Sequence, residues 1–459
     1  MIRSLLLLAA IALAIPASSQ TFVVNQGNFS DGNGSVTVVP SDLMDSATQL
    51  YEGQLGSILQ SATQVGDKLY LLSNSANRID VVDVPTQARV GQIGGDSPSP
   101  FSSPRYMEVA SSDGVYVSNQ VYFGGNPSYV LPLTLSGNGG TVGDAIPVDG
   151  LPEGMALLGD SLYVALGTFG PGSGVDSLAV IDARQNELAG YIDIDCYARF
   201  IVSDQQFNVV AFCEDTDELV VIDQETRSVK QRLAFGEEIG DPSGVGRSLA
   251  PGRINIAVRS ATPSASSYLV ITASGVAEVS GDTQEGAYAI ERTVAISDAD
   301  TTPISAVGSG GGGPYLYLGR PDPANPFTAD GTITVHDYND GSILATYPAG
   351  IYPVHIPLDE TFGTAAEQGA AARALNLELA GPNPARGASA LAFTLRQPED
   401  ARVTVHDLLG RTVATVADRG FSAGDQRVEL DVSGLAPGPY RVRLAVGDRI
   451  ASLPLTVVR

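Results

Sequence analysis

The fold is decided by a stretch near the N-terminus, "GDKLYLLSNSANRIDVVDVPTQARVGQI" at residues 66–93. It begins with an apolar run and passes through a Ser/Asn turn to a second apolar run that ends at Asp83. A polar turn then leads to a third run. Short apolar runs rich in β-branched and aromatic residues, separated by turn residues, predict β-strands. The stretch therefore predicts three antiparallel strands joined by tight turns.

The same order of strands and turns recurs along the first part of the chain. Copies occupy residues 21–51, 113–135, 159–194, 205–235, 252–279 and 313–348. With the opening stretch this gives seven copies, spaced about forty to fifty residues apart. Most are preceded by a further short apolar run, which makes a four-stranded unit. Four antiparallel strands at this period are typical of one β-propeller blade, so we predict an all-β protein built on a seven-bladed β-propeller.

One strand is left over at each end of this array. The first copy lacks its preceding strand, and the segment "GIYPVHIPLD" at 350–359 follows the seventh copy. We expect residues 350–359 to form the innermost strand of the first blade. This pairing joins the two ends of the array and removes an open sheet edge that would invite aggregation.

Several copies also carry a resemblance to a known repeat family. The runs "LYLLSN…IDVVD", "VYVSN", "LYVAL…LAVID" and "ELVVID…TRSVKQRL" resemble the YVTN-type family of seven-bladed propellers. The resemblance covers about residues 21–358 and is good in blades two, four, five and seven but poor in blade six. It implies the fold but no particular activity.

The remaining segments predict a four-part organisation. Residues 1–19 resemble a secretory signal peptide, with Arg3, an apolar core over Leu5–Ile15 and small residues before the cut. That core is too short to span a membrane. The propeller then occupies 20–359, a polar linker 360–375, and a C-terminal β-sandwich of six or seven strands 376–459.

The C-terminal segment resembles the type A sorting domain of the type IX secretion system. The matching positions are Asn383, Pro384, Asp407, Gly410, Arg411, Ala423, Gly424, Leu435, Gly438, Tyr440 and Arg459. The resemblance implies export across the outer membrane by the type IX machinery and removal of the tail during export. The protein is then expected to be secreted or held at the outer cell surface.

The charge of the chain is unevenly distributed. Its formal net charge is −25, yet residues 375–459 carry ten Arg against nine Asp and Glu. The acidic excess therefore belongs to the propeller, whose field repels nucleic acid and anionic membranes. We expect no nucleic-acid partner and no membrane span, and either a protein or a glycan as the partner of the propeller.

Cys196 and Cys213 are the only cysteines. If the apolar runs around them pair about the midpoint between Asp204 and Gln205, the two residues lie opposite each other, close enough for a disulfide. Export makes such a bond chemically allowed. We therefore predict a Cys196–Cys213 disulfide, with two buried free thiols as the alternative.

Candidate functional residues are few, and no catalytic motif is present. Side chains at the start of the innermost strands converge on the mouth of a propeller channel, which selects Arg105, Tyr106, Glu153, Arg199 and His355. Such a mixed set suits a small anion, a sugar acid or a peptide end; mutual pairing around water is the alternative. His336 and His406 precede an Asp at strand ends and suit structural roles.

These observations favour a binding protein without catalytic residues. The alternative is an extracellular hydrolase or lyase, similar to lactonase-like propellers, that acts on a small molecule at the channel mouth. No cofactor is expected. The acidic turns 29–35, 213–218 and 336–342 have oxygen ligands that suit calcium, but Asp, Asn and Gly are also the residues that tight turns prefer.

Overall fold

The computed structural model describes residues 21–40, 43–111, 113–122, 126–167, 175–204, 208–213, 215–237, 239, 256–261, 265–282, 287–296, 303–309, 315–357, 377–382, 385–395, 398–406, 412–435, 438–446 and 449–458. Every regular element in these ranges is a β-strand. No helix in the described part of the chain is long and apolar enough to cross a membrane. The all-β prediction is confirmed.

Twenty-nine strands build the first part of the described chain. In chain order they are β1 (Thr21–Asn25), β2 (Ser35–Val39), β3 (Thr48–Leu50), β4 (Leu59–Val65), β5 (Lys68–Ser73), β6 (Arg78–Asp83), β7 (Ala88–Gly94), β8 (Pro104–Val109), β9 (Gly114–Asn119), β10 (Ser128–Ser136), β11 (Gly139–Val142), β12 (Ile146–Val148), β13 (Leu151–Leu158), β14 (Ser161–Gly167), β15 (Ser177–Asp182), β16 (Glu187–Asp193), β17 (Ala198–Ser203), β18 (Asn208–Cys213), β19 (Glu218–Asp223), β20 (Ser228–Ala234), β21 (Ile256–Ala261), β22 (Ala265–Thr272), β23 (Gly275–Asp282), β24 (Ala287–Ala295), β25 (Ala306–Gly308), β26 (Tyr315–Arg320), β27 (Asp330–Asp337), β28 (Ile343–Ile351) and β29 (Pro353–His355).

These strands form seven antiparallel sheets within the described residues. From the innermost strand outward, sheet 1 has the order β29-β1-β2-β3, and sheet 2 contains β4–β7. Sheet 3 contains β8–β12, sheet 4 β13–β16, sheet 5 β17–β20, sheet 6 β21–β24 and sheet 7 β25–β28. The segment around Pro353–His355 pairs with β1 as predicted, with Val24 opposite His355.

The sheets close into a ring because each packs its faces against two neighbours. Seven separate apolar clusters fill the seven spaces between successive sheets, including one shared by sheets 7 and 1. This packing explains the apolar runs that mark the repeat. The second strand β5 is buried along nearly its whole length, whereas the outermost strand β7 is largely exposed. The arrangement is a seven-bladed β-propeller, in which the innermost strands of most neighbouring sheets contact each other.

The Cys196–Cys213 disulfide is present in sheet 5, with the two Cα atoms 5.8 Å apart. Its register differs from the predicted one, because Cys213 lies opposite Ala198 in the β17–β18 ladder. The turn is centred further along the chain, where the Asp204 N–H donates to the Asn208 carbonyl oxygen. Cys196 lies just before β17, so the bond clamps the start of that innermost strand.

We expect the double substitution Cys196→Ala and Cys213→Ala to lower the free energy of unfolding by about 3 kcal/mol. The bond closes a loop with a sequence separation of 17, and opening it returns conformational entropy to the unfolded chain. Urea unfolding followed by tyrosine fluorescence measures this loss, since the chain contains no Trp. The wild type, unfolded with and without reductant, is the control. A double variant as stable as the oxidised wild type contradicts the prediction.

The C-terminal part forms a two-sheet sandwich. Its strands are β30 (Glu378–Leu379), β31 (Ala388–Leu395), β32 (Glu399–His406), β33 (Thr412–Phe421), β34 (Gly424–Asp431), β35 (Gly438–Val446) and β36 (Arg449–Val457). One sheet has the order β30-β31-β34 and the other β33-β32-β35-β36. Side chains from both sheets, such as Leu391 and Val403, form one apolar core. Strand alternation of this kind is what a small sandwich requires.

Candidate functional site

The channel mouth is shaped by one recurring irregularity in four consecutive sheets. In each of sheets 2–5, the innermost strand has one more residue than its partner strand near its start. A bulge of this kind leaves residues outside the ladder and redirects their side chains. The residues between the paired positions are Gln60 in β4, Arg105 and Tyr106 in β8, Glu153 and Gly154 in β13, and Arg199 in β17.

Three of these bulge residues bond to one another. Arg105 donates from Nε to Glu153 Oε2 at 3.0 Å and from a terminal nitrogen to Oε1 at 3.3 Å. Its other terminal nitrogen donates to Gln60 Oε1 at 2.7 Å. The Arg105 and Glu153 side chains are only 3% and 1% exposed, so this is a buried bidentate ion pair.

Two tyrosines lie close to the ion pair. Gln60 Nε2 donates to the Tyr106 hydroxyl at 3.4 Å, and the Tyr122 hydroxyl donates to Gln120 Oε1. Burial raises the pKa of Tyr106, and the Glu153 carboxylate raises it further. Burial acts to lower the pKa of Arg105, but the Glu153 charge, the two tyrosines and the hydrogen bond to Glu153 together outweigh it, so the pKa lies above its ordinary value. Both tyrosines are therefore neutral hydroxyl groups beside a permanent cation.

Arg199 joins this group from sheet 5. It is half-buried, and its charge lowers the pKa of both Tyr106 and Tyr122, against the larger effect of burial. The neighbouring strands approach closely here, since a Cβ on Gly154 would lie 3.0 Å from the Arg199 carbonyl oxygen. We name the set Gln60, Arg105, Tyr106, Gln120, Tyr122, Glu153 and Arg199 the mouth cluster.

His355 lies apart from the mouth cluster in its bonding. It sits on the short strand β29, and its Nδ1 accepts a hydrogen bond from the Ala62 N–H at 3.0 Å. This bond fixes the tautomer with the proton on Nε2. Burial lowers the pKa of His355 to about 3, and no charged group contributes to that shift. The imidazole is thus neutral, and it accepts a backbone hydrogen bond from the edge of β4.

Glu108 occupies a comparable position in sheet 3. Its Oε1 accepts the Leu157 N–H at 2.9 Å, which links the innermost strands of sheets 3 and 4. Burial raises the pKa of Glu108 to about 7, and the backbone hydrogen bond only partly offsets this. Glu108 is therefore a carboxyl group on an innermost strand whose charge changes near neutral pH.

Protonated Glu108 is expected to stabilise the folded protein, and this stabilisation is expected to decrease as the pH rises from about 4.5 to about 7. Its folded pKa of about 7 lies above the ordinary 4.5, so the folded state retains a proton that the unfolded chain releases. The stabilisation is fully present below about pH 4.5 and is lost as the pH rises through the folded pKa of about 7. Glu108→Gln should unfold at higher urea concentration than the wild type at about pH 8, and at the same concentration near pH 4. Equal midpoints at both pH values contradict the assignment.

Sequence reasoning selected Arg105, Tyr106, Glu153 and Arg199 from the starts of the innermost strands, and these side chains do come together in the structure. It missed Gln60, Gln120 and Tyr122. Gln60 occupies the same bulge in sheet 2, so alignment of the copies was the signal that could have found it. Gln120 and Tyr122 lie after β9 in a loop whose path the strand pattern does not define.

The other two histidines lie in β27 and at the end of β32. His336 is 1% exposed, and its ring nitrogens lie 2.8 Å from the Gly341 carbonyl oxygen and the Thr334 hydroxyl. His406 ends β32 opposite Thr412. Among the residues that the structure describes, no group of three or more His, Cys, Asp or Glu side chains is placed to hold a metal ion.

The tail motif is described in part. Gly438 begins β35 opposite Val457, and Tyr440 packs against the sandwich core. β32 and β33 pair as antiparallel strands. The motif positions Asn383, Pro384, Asp407, Gly410, Arg411 and Arg459 lie outside the described residues.

Fold and sequence together define a propeller protein with an export tail. Residues 381–453 match the family described as "Secretion system C-terminal sorting domain". This tail directs the protein through the type IX secretion system to the cell surface or the extracellular medium. None of the curated proteins matches the sequence.

Solved structures of similar shape are distant in sequence. A proposed 6-phosphogluconolactonase from Bacteroides fragilis is 13% identical with a TM-score of 0.49, covering 74% of this chain and 98% of that one. A hydrazine synthase from Kuenenia stuttgartiensis is 16% identical with a TM-score of 0.45, covering 65% and 88% of the two chains.

Proposed function

We propose that the protein is an exported binding protein, in which the tail directs export and the ring recognises a ligand at the channel mouth. The observation that carries the proposal is the buried Arg105–Glu153 pair held by Gln60. An apolar pair of the same volume would stabilise the fold as well or better, because burying two charges costs solvation energy. The presence of a charged pair where an apolar pair would be at least as stable is explained if the pair holds polar groups in fixed positions beside the channel.

The half-buried members of the mouth cluster suit ligand contact. Arg199 has a guanidinium group and Tyr122 a hydroxyl group, both in half-buried side chains, whereas Arg105 and Tyr106 are buried. A guanidinium binds carboxylates in a bidentate manner, and a phenolic hydroxyl both donates and accepts. The ligand group that fits this set carries a carboxylate or several hydroxyls, as a sugar acid or a peptide end does.

The alternative, a hydrolase or lyase reaction on a small molecule, has less support. Acid–base chemistry needs a group whose pKa lies near the working pH and that lies within reach of the substrate. His355 is held neutral with a pKa of about 3 and accepts a backbone N–H. The Glu153 carboxylate is taken up by Arg105 at both oxygens. Glu108, whose pKa is about 7, accepts the backbone N–H of Leu157 and is not a member of the mouth cluster. Binding therefore accounts for the geometry better than turnover.

The test uses protein recovered from the culture medium of a host with type IX machinery. Arrays of extracellular glycans and peptides are screened first, and the affinity for any ligand found is then measured by calorimetry. We expect Arg199→Gln to weaken that affinity at least about tenfold, a loss typical of one charged hydrogen bond. Arg184→Gln, an exposed arginine outside the mouth cluster, is the matched control.

Two outcomes contradict the proposal. One is an affinity that Arg199→Gln leaves unchanged. The other is turnover of a lactone or similar small substrate that Glu153→Gln or His355→Gln abolishes in a protein that is still folded. The second result would establish the hydrolase or lyase alternative instead.

A further inference from the structure

Three aromatic rings contact one another in series beside sheet 1. Phe327 and Tyr352 lie parallel, with ring centroids 5.0 Å apart and an interplanar angle of 4°. The centroid of the Phe29 ring lies 6.5 Å from that of Phe327, and the two rings are tilted by 58°. Burial decreases along the stack, because Tyr352 is 1% exposed, Phe327 is half-buried and Phe29 is 59% exposed. We name these three residues the aromatic stack.

The topology places the aromatic stack on the same side of the ring as the mouth cluster. Phe29 lies between the second and third strands of sheet 1 (counted outward from the channel), and Phe327 lies in the equivalent connection of sheet 7. In an up-and-down sheet these connections lie at the end where the innermost strands begin. The loop of sheet 7 reaches over sheet 1, since Phe327 packs against the core between sheets 1 and 2.

The loop that carries Phe29 is braced rather than loose. The N–H groups of Ser30 and Asp31 both donate to Asn28 Oδ1, and Asn28 Nδ2 donates to Asp31 Oδ2 at 2.5 Å. The Gly32 N–H donates to the Ser57 hydroxyl, which ties the loop to the next sheet. A fixed loop therefore holds an apolar ring in water, although folding normally buries such a ring.

The loop also requires glycine where the chain turns sharply. Gly27 has a φ of +76°, and a Cβ there would lie 2.5 Å from the backbone nitrogen of Gly34. Such a contact is closer than real Cβ atoms allow, so the two ends of the loop pass each other without side chains. The position of Phe29 is thus set by backbone geometry as well as by hydrogen bonds.

Size and charge limit what this surface can bind. A stable protein partner buries about 800 Å² on each side, far more than one exposed ring supported by two others. Asp31 is ionised beside the ring, because hydrogen bonds from Asn28 and Ser30 lower its pKa. Its negative charge disfavours an anionic ligand at this loop. The fitting ligand is therefore small, ring-shaped, uncharged and rich in hydroxyl donors.

We propose that the aromatic stack is a binding platform for a neutral saccharide, with one sugar ring packed on Phe29 and its hydroxyls donating to Asp31 and Asn28. The apolar C–H face of a pyranose matches a phenyl ring in size, and the aromatic face carries partial negative charge that attracts those hydrogens. The inference rests on the proposed function, since it assumes that the exported ring binds extracellular ligands, and it supplies a ligand class and a second contact area for it.

The experiment measures binding of the secreted, full-length ring to neutral hexasaccharides by calorimetry. The probes are cello-, malto-, xylo- and mannohexaose, with hexagalacturonate as the anionic counterpart. We expect at least one neutral probe to bind and hexagalacturonate not to bind. Phe29→Ala should weaken the affinity for the neutral probe about tenfold or more, and Phe29→Trp should retain that affinity. Met44→Ala, which removes another apolar side chain at 88% exposure, should change nothing.

Each remaining result overturns the proposal. These results are binding by none of the neutral probes, equal affinity for hexagalacturonate, or an affinity that Phe29→Ala leaves unchanged. Because Phe29 is exposed, its variants should keep the wild-type melting temperature, which separates loss of contact from loss of fold. If no neutral saccharide binds through Phe29 while the affinity for another ligand still falls in Arg199→Gln, this inference is wrong and the proposed function stands.

Discussion

Replacing Glu153 by Gln is expected to lower the free energy of unfolding by about 3–5 kcal/mol. The substitution leaves the Arg105 guanidinium buried without its compensating charge, and the same loss is expected from Arg105→Met, which strands the carboxylate. The double variant Arg105→Met and Glu153→Leu removes both charges and should recover most of the stability. Urea unfolding followed by circular dichroism measures all three variants against the wild type.

Two controls separate the buried pair from ordinary ion pairs and from general disturbance of the channel. Asp160→Asn breaks the exposed Arg184–Asp160 pair and should cost less than about 1 kcal/mol. Gly167→Ala adds a Cβ 2.8 Å from Glu153 Cγ and should destabilise the fold by displacing the carboxylate, whereas Gly139→Ala meets open space. A Glu153→Gln variant as stable as Asp160→Asn would show that the ion pair is not energetically important.

The sheets were predictable from the sequence because each one repeats a simple pattern. Second and third strands packed on both faces appear as continuous apolar runs, and turn residues separate them, as in residues 66–93. The closure of the ring was predictable from strand counting alone. The sequence placed the unpaired strand around 350–359, and β29 is found beside β1. These inferences depend on the pattern of apolar runs and on the number of strands, and small errors in strand register do not change either.

The mouth cluster was predictable only in part, because it depends on single extra residues. A one-residue bulge changes which side chains face the channel, yet Gln60 and Arg199 follow apolar or small neighbours like any other strand residue. The register of the disulfide hairpin differed from the predicted one because the turn is centred nearer to residue 206 than to the midpoint between Asp204 and Gln205. His355 was grouped with the cluster by strand position, but its bond to the Ala62 N–H was not deducible from the sequence.

Removal of residues 376–459 is expected to stop export, with the ring left in the periplasm of a host that has type IX machinery. The expectation follows from the match of residues 381–453 to the sorting-domain family and from the separate core of the sandwich, which makes the tail a folded unit. Cell fractionation with immunodetection of the ring measures the distribution. The truncated ring should stay folded, because among the described residues none of the seven clusters that hold the sheets together includes a tail residue.

Point substitutions in the tail distinguish recognition of a folded domain from recognition of a bare sequence. Leu391→Asp places a charge in the fully buried core of the sandwich and should block export as completely as the deletion, because it unfolds the domain while leaving every motif position unchanged. Arg402→Gln removes an exposed partner of Asp418 and should leave export intact. Mass spectrometry of the exported protein should find the ring without peptides from the end of the chain. Recovery of the truncated protein in the medium, in amounts equal to the wild type, would show that export does not depend on the tail.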